Sequence, residues 1–262
     1  MPTQPSSVWQ REWQAFWLAV GFLTRVPMLV RIDYTPALMS QSSVYFPLVG
    51  LLLGASYAAL FSLVSALWPT LVCLLLVLCF HLWLTGTFHE DGLADSVDAL
   101  GGGYTVADRL RIMKDSRIGT YGSVALFLAL GLKVALLVAV EHIWLALLVS
   151  PCIARLAPLV LMRGLRYVTD PDTSKSRPVA EHFSTTRLIA AIAFVVMVCI
   201  ALTPWAPSLP LAALVSVGLV FLAWGRALKA DLGGYTGDAL GASVVFCELV
   251  LLLWLSASST HM

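Results

Sequence analysis

Polar side chains almost vanish from seven stretches of this chain: residues 44–67, 70–88, 121–140, 143–162, 188–203, 209–228 and 239–255. A helix that crosses the hydrocarbon core of a bilayer needs roughly 20 predominantly apolar residues, and these runs meet or approach that length. The run at 188–203 is a little short and gains from extension back to Thr186. Residues 9–30 are also apolar, but they carry Arg25 and Pro27 and open on a Trp-rich segment. That composition suits a helix lying along the membrane interface or re-entering it. The pattern predicts an all-α, polytopic integral membrane helix bundle with about seven transmembrane helices plus an N-terminal interfacial or re-entrant helix. One membrane-embedded domain is expected to cover 1–262.

The connections alternate in kind. Trp68-Pro69, Glu141-His142 and the segment 204–208 are short and hold no Lys or Arg, whereas the N-terminus through Ser43 and the segments 89–120, 163–187 and 229–238 are longer and basic. Of 16 Lys and Arg, 14 fall in or at the edge of the basic set, and Lys133 and Arg155 lie deep inside apolar runs. The positive-inside rule puts that set on the cytoplasmic side. The expectation is therefore a cytoplasmic (inner) membrane protein whose functional face looks into the cytoplasm. With 59% hydrophobic and 12% charged residues and a mean hydropathy of +0.87, the chain is far from the composition of soluble domains. This argues against soluble, disordered and nucleic-acid-binding proteins. No signal-peptide pattern opens the chain. Cys73, Cys79, Cys152, Cys199 and Cys247 lack metal-ligand or redox spacing and read as small buried hydrophobes.

The densest polar feature follows the run at 70–88. His89-Glu90-Asp91-Gly92-Leu93-Ala94-Asp95-Ser96-Val97-Asp98 packs four carboxylates against a membrane edge. Asp91, Asp95 and Asp98 stand at i, i+4 and i+7, one face of a helix. Carboxylates this close repel unless a cation or proton joins them, and an all-oxygen donor set suits Mg²⁺ or another hard divalent cation. Asp91, Asp95 and Asp98 are thus candidate catalytic groups and metal ligands, with Glu90 as a further ligand. The preference of acids for helix starts accounts for one or two of these residues, not four. Gly92 and Ala94 leave room for a second helix or a phosphate to approach the backbone.

Basic and glycine-rich segments surround this patch. Gly101-Gly102-Gly103 is either a plain linker or an anion-cradling loop. Arg111, Lys114 and Arg117 recur every third residue, so on a helix they cluster along one side. Beside a metal they suit a phosphate or diphosphate, although an ordinary positive-inside loop has the same composition. Gly233-Gly234-Tyr235-Thr236-Gly237-Asp238 feeds the last apolar run, a candidate anion site through Gly233, Gly234 and Thr236. Asp238 serves there as a helix cap or completes the metal site. Lys133, Arg155 and Glu248 lie within apolar runs, where a central Lys or Arg costs roughly 3 kcal/mol on insertion scales. Arg155 is the candidate phosphate clamp; Lys133 and Glu248 are candidates for a structural pair. His81 reads as a hydrogen-bonded core residue, and His89 lies close to the acids. Gly50 and Gly54 at four-residue spacing suit close helix contacts, within the chain or between copies of a homo-oligomer.

Five runs, in order along the chain, carry a family resemblance: Phe22-Leu23-Thr24-Arg25-Val26-Pro27, Phe46-Pro47-Leu48-Val49-Gly50, His89-Glu90-Asp91-Gly92-Leu93-Ala94-Asp95, Met113-Lys114-Asp115-Ser116-Arg117-Ile118-Gly119-Thr120-Tyr121-Gly122 and Gly233-Gly234-Tyr235-Thr236-Gly237-Asp238. The chain resembles the cobalamin synthase family, the adenosylcobinamide-GDP ribazoletransferases, over almost its whole length. The resemblance implies a Mg²⁺-dependent membrane transferase that joins adenosylcobinamide-GDP to α-ribazole or its 5′-phosphate and releases GMP. Its partners are then these small molecules and membrane lipid, with no nucleic acid.

The chemistry is similar to that of CDP-alcohol phosphotransferases, whose motif begins Asp-x-x-Asp-Gly-x-x-Ala-Arg. Here Asp91-Gly92 matches, but no Asp lies at 88, where Phe88 stands, and no Arg follows Ala94, so the chemistry carries over and the residue roles do not. Within the cobalamin synthase pattern, Ala99 replaces a frequent Gly, and Val168-Thr169-Asp170-Pro171-Asp172 replaces an Ala-Arg-Gly-rich continuation. Two alternatives stand beside this reading. One is a phosphotransferase with another nucleotide-diphosphate donor. The other is a cation-coupled transporter, disfavoured by acids clustered at one membrane face and by the lack of a repeat.

Overall fold

The computed structural model describes residues 7–168 and 183–259. The divergent segment 169–172 of the family pattern lies outside the described residues. Among the described residues thirteen α-helices follow in order. They are α1 (Val8–Leu23), α2 (Pro36–Ser42), α3 (Phe46–Val64), α4 (Thr70–Thr85), α5 (Phe88–Gly102), α6 (Val106–Met113) and α7 (Thr120–Ala139). Then come α8 (Ile143–Ala154), α9 (Leu156–Gly164), α10 (Thr185–Ala201), α11 (Leu209–Leu219), α12 (Gly225–Asp231) and α13 (Gly237–Ser259). A 3₁₀ turn, Ser43–Tyr45, joins α2 to α3, and a π-helical turn, Val220–Trp224, joins α11 to α12. Among the described residues no strand forms; an isolated parallel bridge pairs Tyr167 with Tyr235.

Among the described residues five continuous helical stretches are long and apolar enough to cross a membrane: Pro36–Val64, Thr120–Ala139, Ile143–Gly164, Leu209–Asp231 and Gly237–Ser258. The bent pair of α4 and α5, which turns through 86°, makes a sixth if taken together. Thr185–Ala201 is apolar but only 17 residues long. The expected seven helices are all present, and five to six of them reach spanning length. α1 stands outside this set with Trp9 and Trp13 exposed, consistent with its separation from the spans in the sequence.

Burial sorts the spans. Ile143–Gly164 is 89% buried over its apolar window, against 28% for Thr120–Ala139, so α8 and α9 form the bundle's axis while α7 turns Val124, Phe127 and Leu128 outward. Two prolines shape the axis. Pro151 lies inside α8, and Pro158, without an N–H, weakens the ladder where α8 gives way to α9. Arg155 occupies the junction. Gly50 and Gly54 let α3 lie directly on α8. A Cβ at Gly50 would sit 2.2 Å from the Pro151 carbonyl oxygen, and one at Gly54 2.1 Å from that of Leu148. The small-residue spacing thus serves a contact within the chain.

The predicted pairing of Lys133 with Glu248 is present, Nζ to Oε2 at 2.5 Å, joining α7 to α13. At the other end of the sequence, Glu12 accepts from the Tyr45 hydroxyl at 2.7 Å and from Arg187, whose Nη1 also donates to the Gln41 carbonyl at 3.0 Å. α1, α2 and α10 are tied together there. Four cysteines are buried as expected, but Cys79 on α4 is exposed: an apolar outer face leaves a small hydrophobe equally at home outside the core.

Candidate active site

The acidic patch is built by a bend. Gly86 and Thr87 both adopt left-handed backbone, with φ of 66° and 58°, and so end α4 and launch α5 at nearly a right angle. Glycine enters that region freely, whereas for β-branched Thr87 it is a strained choice. A Cβ at Gly86 would also lie 2.6 Å from Arg25 Nε. This links the Arg25 of the first family run to the foot of the acidic helix. The expected helix carrying Asp91, Asp95 and Asp98 is α5.

α5 lies on the start of α13. A Cβ at Gly92 would be 2.6 Å from the Asp238 carbonyl oxygen, and one at Gly241 3.4 Å from Gly92 Cα. Only glycine permits this approach, and it carries Asp238 to the side of Asp91 and Asp95. Burial, followed by the charges of Asp91, Asp238 and Asp98, pushes the Asp95 carboxyl up to about 7. Burial and neighbouring like charges both disfavour the ionised form. Among the described residues none of Asp91, Asp95 and Asp238 has a salt-bridge partner. Among the described residues no group of three or more His, Cys, Asp or Glu side chains is placed so that it could hold a metal ion by itself.

Asp98 and Glu90, both in the predicted ligand set, are engaged elsewhere. The two oxygens of Asp98 accept the backbone N–H groups of Gly119 and Gly122 at 2.7 and 2.8 Å, capping the start of α7. A Cβ at Gly119 or Gly122 would fall 2.5 or 2.4 Å from that carboxylate, which explains both glycines of the Ile118-Gly119-Thr120-Tyr121-Gly122 run. Glu90 points inward. Its Oε1 is 2.9 Å from His81 Nε2, and His81 Nδ1 is 2.8 Å from the Tyr57 hydroxyl. His81 is thus the hydrogen-bonded core residue anticipated.

The basic residues divide too. α6 ends at Met113, so Arg111, Lys114 and Arg117 do not share one helix face. The expectation fails because Lys114 caps the helix and a bent segment follows. Arg111 lies 3.8 Å from Asp108 and Arg117 2.7 Å from Asp115, both exposed. Arg109, which the spacing did not single out, bonds the Gly103 carbonyl at 3.1 Å and the Asp231 carbonyl at 2.6 Å. It ties Gly103, which caps the end of α5, to the end of α12; Gly101 and Gly102 lie within α5, not in a linker or loop.

In the Gly233-Gly234 run, Gly233 has φ of 78°. A Cβ at Gly234 would meet the Arg166 carbonyl oxygen at 2.1 Å, where Tyr235 N–H bonds Arg166 O at 2.8 Å. Thr236 is buried and caps α13 by accepting from Ala239 N–H at 3.1 Å. Arg155 and His89 line a cavity beneath the patch together with Gly237 of α13.

Comparison with known proteins identifies the family. The family model described as cobalamin-5-phosphate synthase matches residues 15–256. The chain is 40% identical over 257 residues to the adenosylcobinamide-GDP ribazoletransferase of Shewanella halifaxensis, covering 94% of this chain and 97% of that one. It is 38% identical over 263 residues to the protein of that name from Vibrio cholerae, covering 98% of each. With that of Leptothrix cholodnii it shares 38% identity over 253 residues, 94% of this chain and 96% of that one. No solved structure matches. A helical membrane bundle with a carboxylate cluster at one pole and this near-complete match have one reading: the chain belongs to the cobalamin-5-phosphate synthase family.

Proposed function

We propose that this protein is an adenosylcobinamide-GDP ribazoletransferase of the cytoplasmic membrane whose acidic pole faces the cytoplasm. In the reaction, a ribose hydroxyl of α-ribazole, or of its 5′-phosphate, attacks the phosphorus of the donor's diphosphate that carries the cobinamide. A phosphodiester bond forms, the bridging bond breaks, GMP leaves, and the hydroxyl proton passes to a base. The crowding of Asp91, Asp95 and Asp238 where α5 meets α13 carries this reading, since such a cluster suits the divalent cation that a donor diphosphate needs to offset its charge.

Asp91, Asp95 and Asp238 are the residues that would hold Mg²⁺. Their oxygen-only donor set and mutual repulsion fit a hard divalent ion. Bound there, the ion would offset charge on the diphosphate and the departing GMP. A carboxylate of the same cluster within hydrogen-bond reach takes the hydroxyl proton. Asp98 holds the start of α7 against α5 and so positions the cluster. The basic set at 109–117 supports a cytoplasmic orientation.

The test is GMP release by detergent-purified protein supplied with adenosylcobinamide-GDP and α-ribazole 5′-phosphate, with and without Mg²⁺. The reading predicts Mg²⁺-dependent GMP together with an equal amount of a joined corrinoid product. GMP formed without a corrinoid product, or no GMP from folded protein with any divalent ion, would remove it.

A further inference from the structure

Beneath the carboxylates lies a second polar centre of opposite sign. Arg155 is 0% exposed. Its Nη1 donates to the Pro151 carbonyl at 2.9 Å, while Nε and Nη2 have no hydrogen-bond partner among the described residues. Of the two buried glutamates of the interior, Glu248 pairs with Lys133 at 2.5 Å and Glu90 Oε1 lies 2.9 Å from His81, while Glu90 Oε2 makes no hydrogen bond among the described residues. A buried guanidinium with open donors is costly unless a ligand fills them, and an intramembrane charge is by default a candidate functional site.

The guanidinium lines a cavity of about 40 Å³, room for about three water-sized groups, the scale of a phosphate's oxygens. Gly237 contributes to the same wall. It is the first residue of the 23-residue α13, whose N-terminal amides and dipole favour an anion. The remaining lining is apolar, with Phe22, Phe46, Phe88 and Met162 among it. The cavity adjoins the carboxylates, since Gly237 precedes Asp238 and His89 stands two residues before Asp91.

We propose that Arg155 and the N-terminus of α13 form an anion subsite, apart from the carboxylate cluster, that holds a phosphate group carried on an apolar body. A fork of open donors suits phosphate oxygens, and the aromatic rim suits the body attached to them. Two sources share this chemistry: the phosphomonoester of the acceptor nucleotide and the headgroup of a membrane phospholipid. Only the first rests on the function proposed above.

The experiment measures saturable thermal stabilisation of the whole, delipidated, detergent-purified chain by inorganic phosphate at fixed ionic strength. It needs no turnover, so its failure and that of the proposed reaction are separable. Wild-type protein is expected to be stabilised, with half-saturation at least tenfold weaker in Arg155→Met. Should Arg155→Met not fold, Phe88→Glu serves. Phe88 is 40% exposed at the rim, and a carboxylate there repels the anion while leaving the guanidinium in place.

Two further arms identify the source. Stronger stabilisation by α-ribazole 5′-phosphate than by α-ribazole, lost in the variant, assigns the acceptor. Phospholipid that co-purifies with undelipidated wild type and is depleted in the variant assigns the headgroup. Absence of phosphate stabilisation in wild type, or equal stabilisation in wild type and Phe88→Glu, would overturn the subsite.

Discussion

Single residues in this protein act through close approaches that the family motifs encode. Asp98 is the clearest case. It shares a helix face with Asp91 and Asp95, yet both its oxygens are filled by backbone N–H groups 21 and 24 residues further on. The glycines that supply those groups leave no space for a side chain. Gly122→Ala would place a Cβ 2.4 Å from Asp98 Oδ2, forcing the carboxylate off its donors. The expected loss is roughly 1–3 kcal/mol, the usual penalty of stranding a buried polar group, read as a lower unfolding temperature in detergent. An unchanged temperature would show that α7 does not depend on the cap.

The Lys133–Glu248 pair gives a second prediction at this scale. Lys133→Met strands a buried carboxylate, and removing one partner of a buried pair costs about 3–5 kcal/mol. The double variant Lys133→Met with Glu248→Leu should recover most of that stability, because an apolar pair of similar volume tolerates the same site. A double variant no more stable than the single would mean that the pair has a role beyond mutual neutralisation.

Among the elements, α3 against α8 and α5 against α13 decide the architecture, and both pairs rest on glycine. Gly54→Ala should separate α3 from the axis, because the added Cβ falls 2.1 Å from the Leu148 carbonyl oxygen and backbone cannot step aside cheaply. Overpacking of this kind costs about 1–3 kcal/mol. Since α8 leads into Arg155, the substitution should also weaken phosphate stabilisation, tested by the same thermal measurement. Intact stability in Gly54→Ala would place the α3–α8 contact elsewhere.

The bend between α4 and α5 acts at this scale as well. Consecutive left-handed residues at Gly86 and Thr87 turn the chain by 86°, and this sets a polar helix across the end of the bundle instead of within it.

At the scale of the whole molecule, the spans were legible because an unbroken apolar run needs no tertiary context to declare itself. The α5 face was legible for the same reason, since i, i+4, i+7 spacing is local. What the sequence left open depended on long-range pairing. Nothing near Asp98 signals that its partners are Gly119 and Gly122. Arg109 is an unremarkable basic residue until Asp231, 122 residues away, is brought beside it. The three-residue spacing of Arg111, Lys114 and Arg117 suggested a helix that in fact stops at Met113, because local spacing carries no signal for the end of a short helix. Glu90 likewise sits in an acidic run but turns to His81 inside the bundle.

The central claim is that the carboxylates at the α5–α13 contact divide into a group that serves the metal and phosphate chemistry and one that holds the fold. Its most direct test is GMP release from adenosylcobinamide-GDP by Asp91→Asn and Asp98→Asn beside wild type, over a Mg²⁺ series, with unfolding temperature measured on the same preparations. Removing one preorganised electrostatic group of an active site typically costs about 10²–10³ in rate. Asp91→Asn should therefore lose turnover at least to that extent while keeping the wild-type unfolding temperature, and Asp98→Asn should unfold at lower temperature. Turnover at the wild-type rate by Asp91→Asn, with the same dependence on Mg²⁺, would contradict the account.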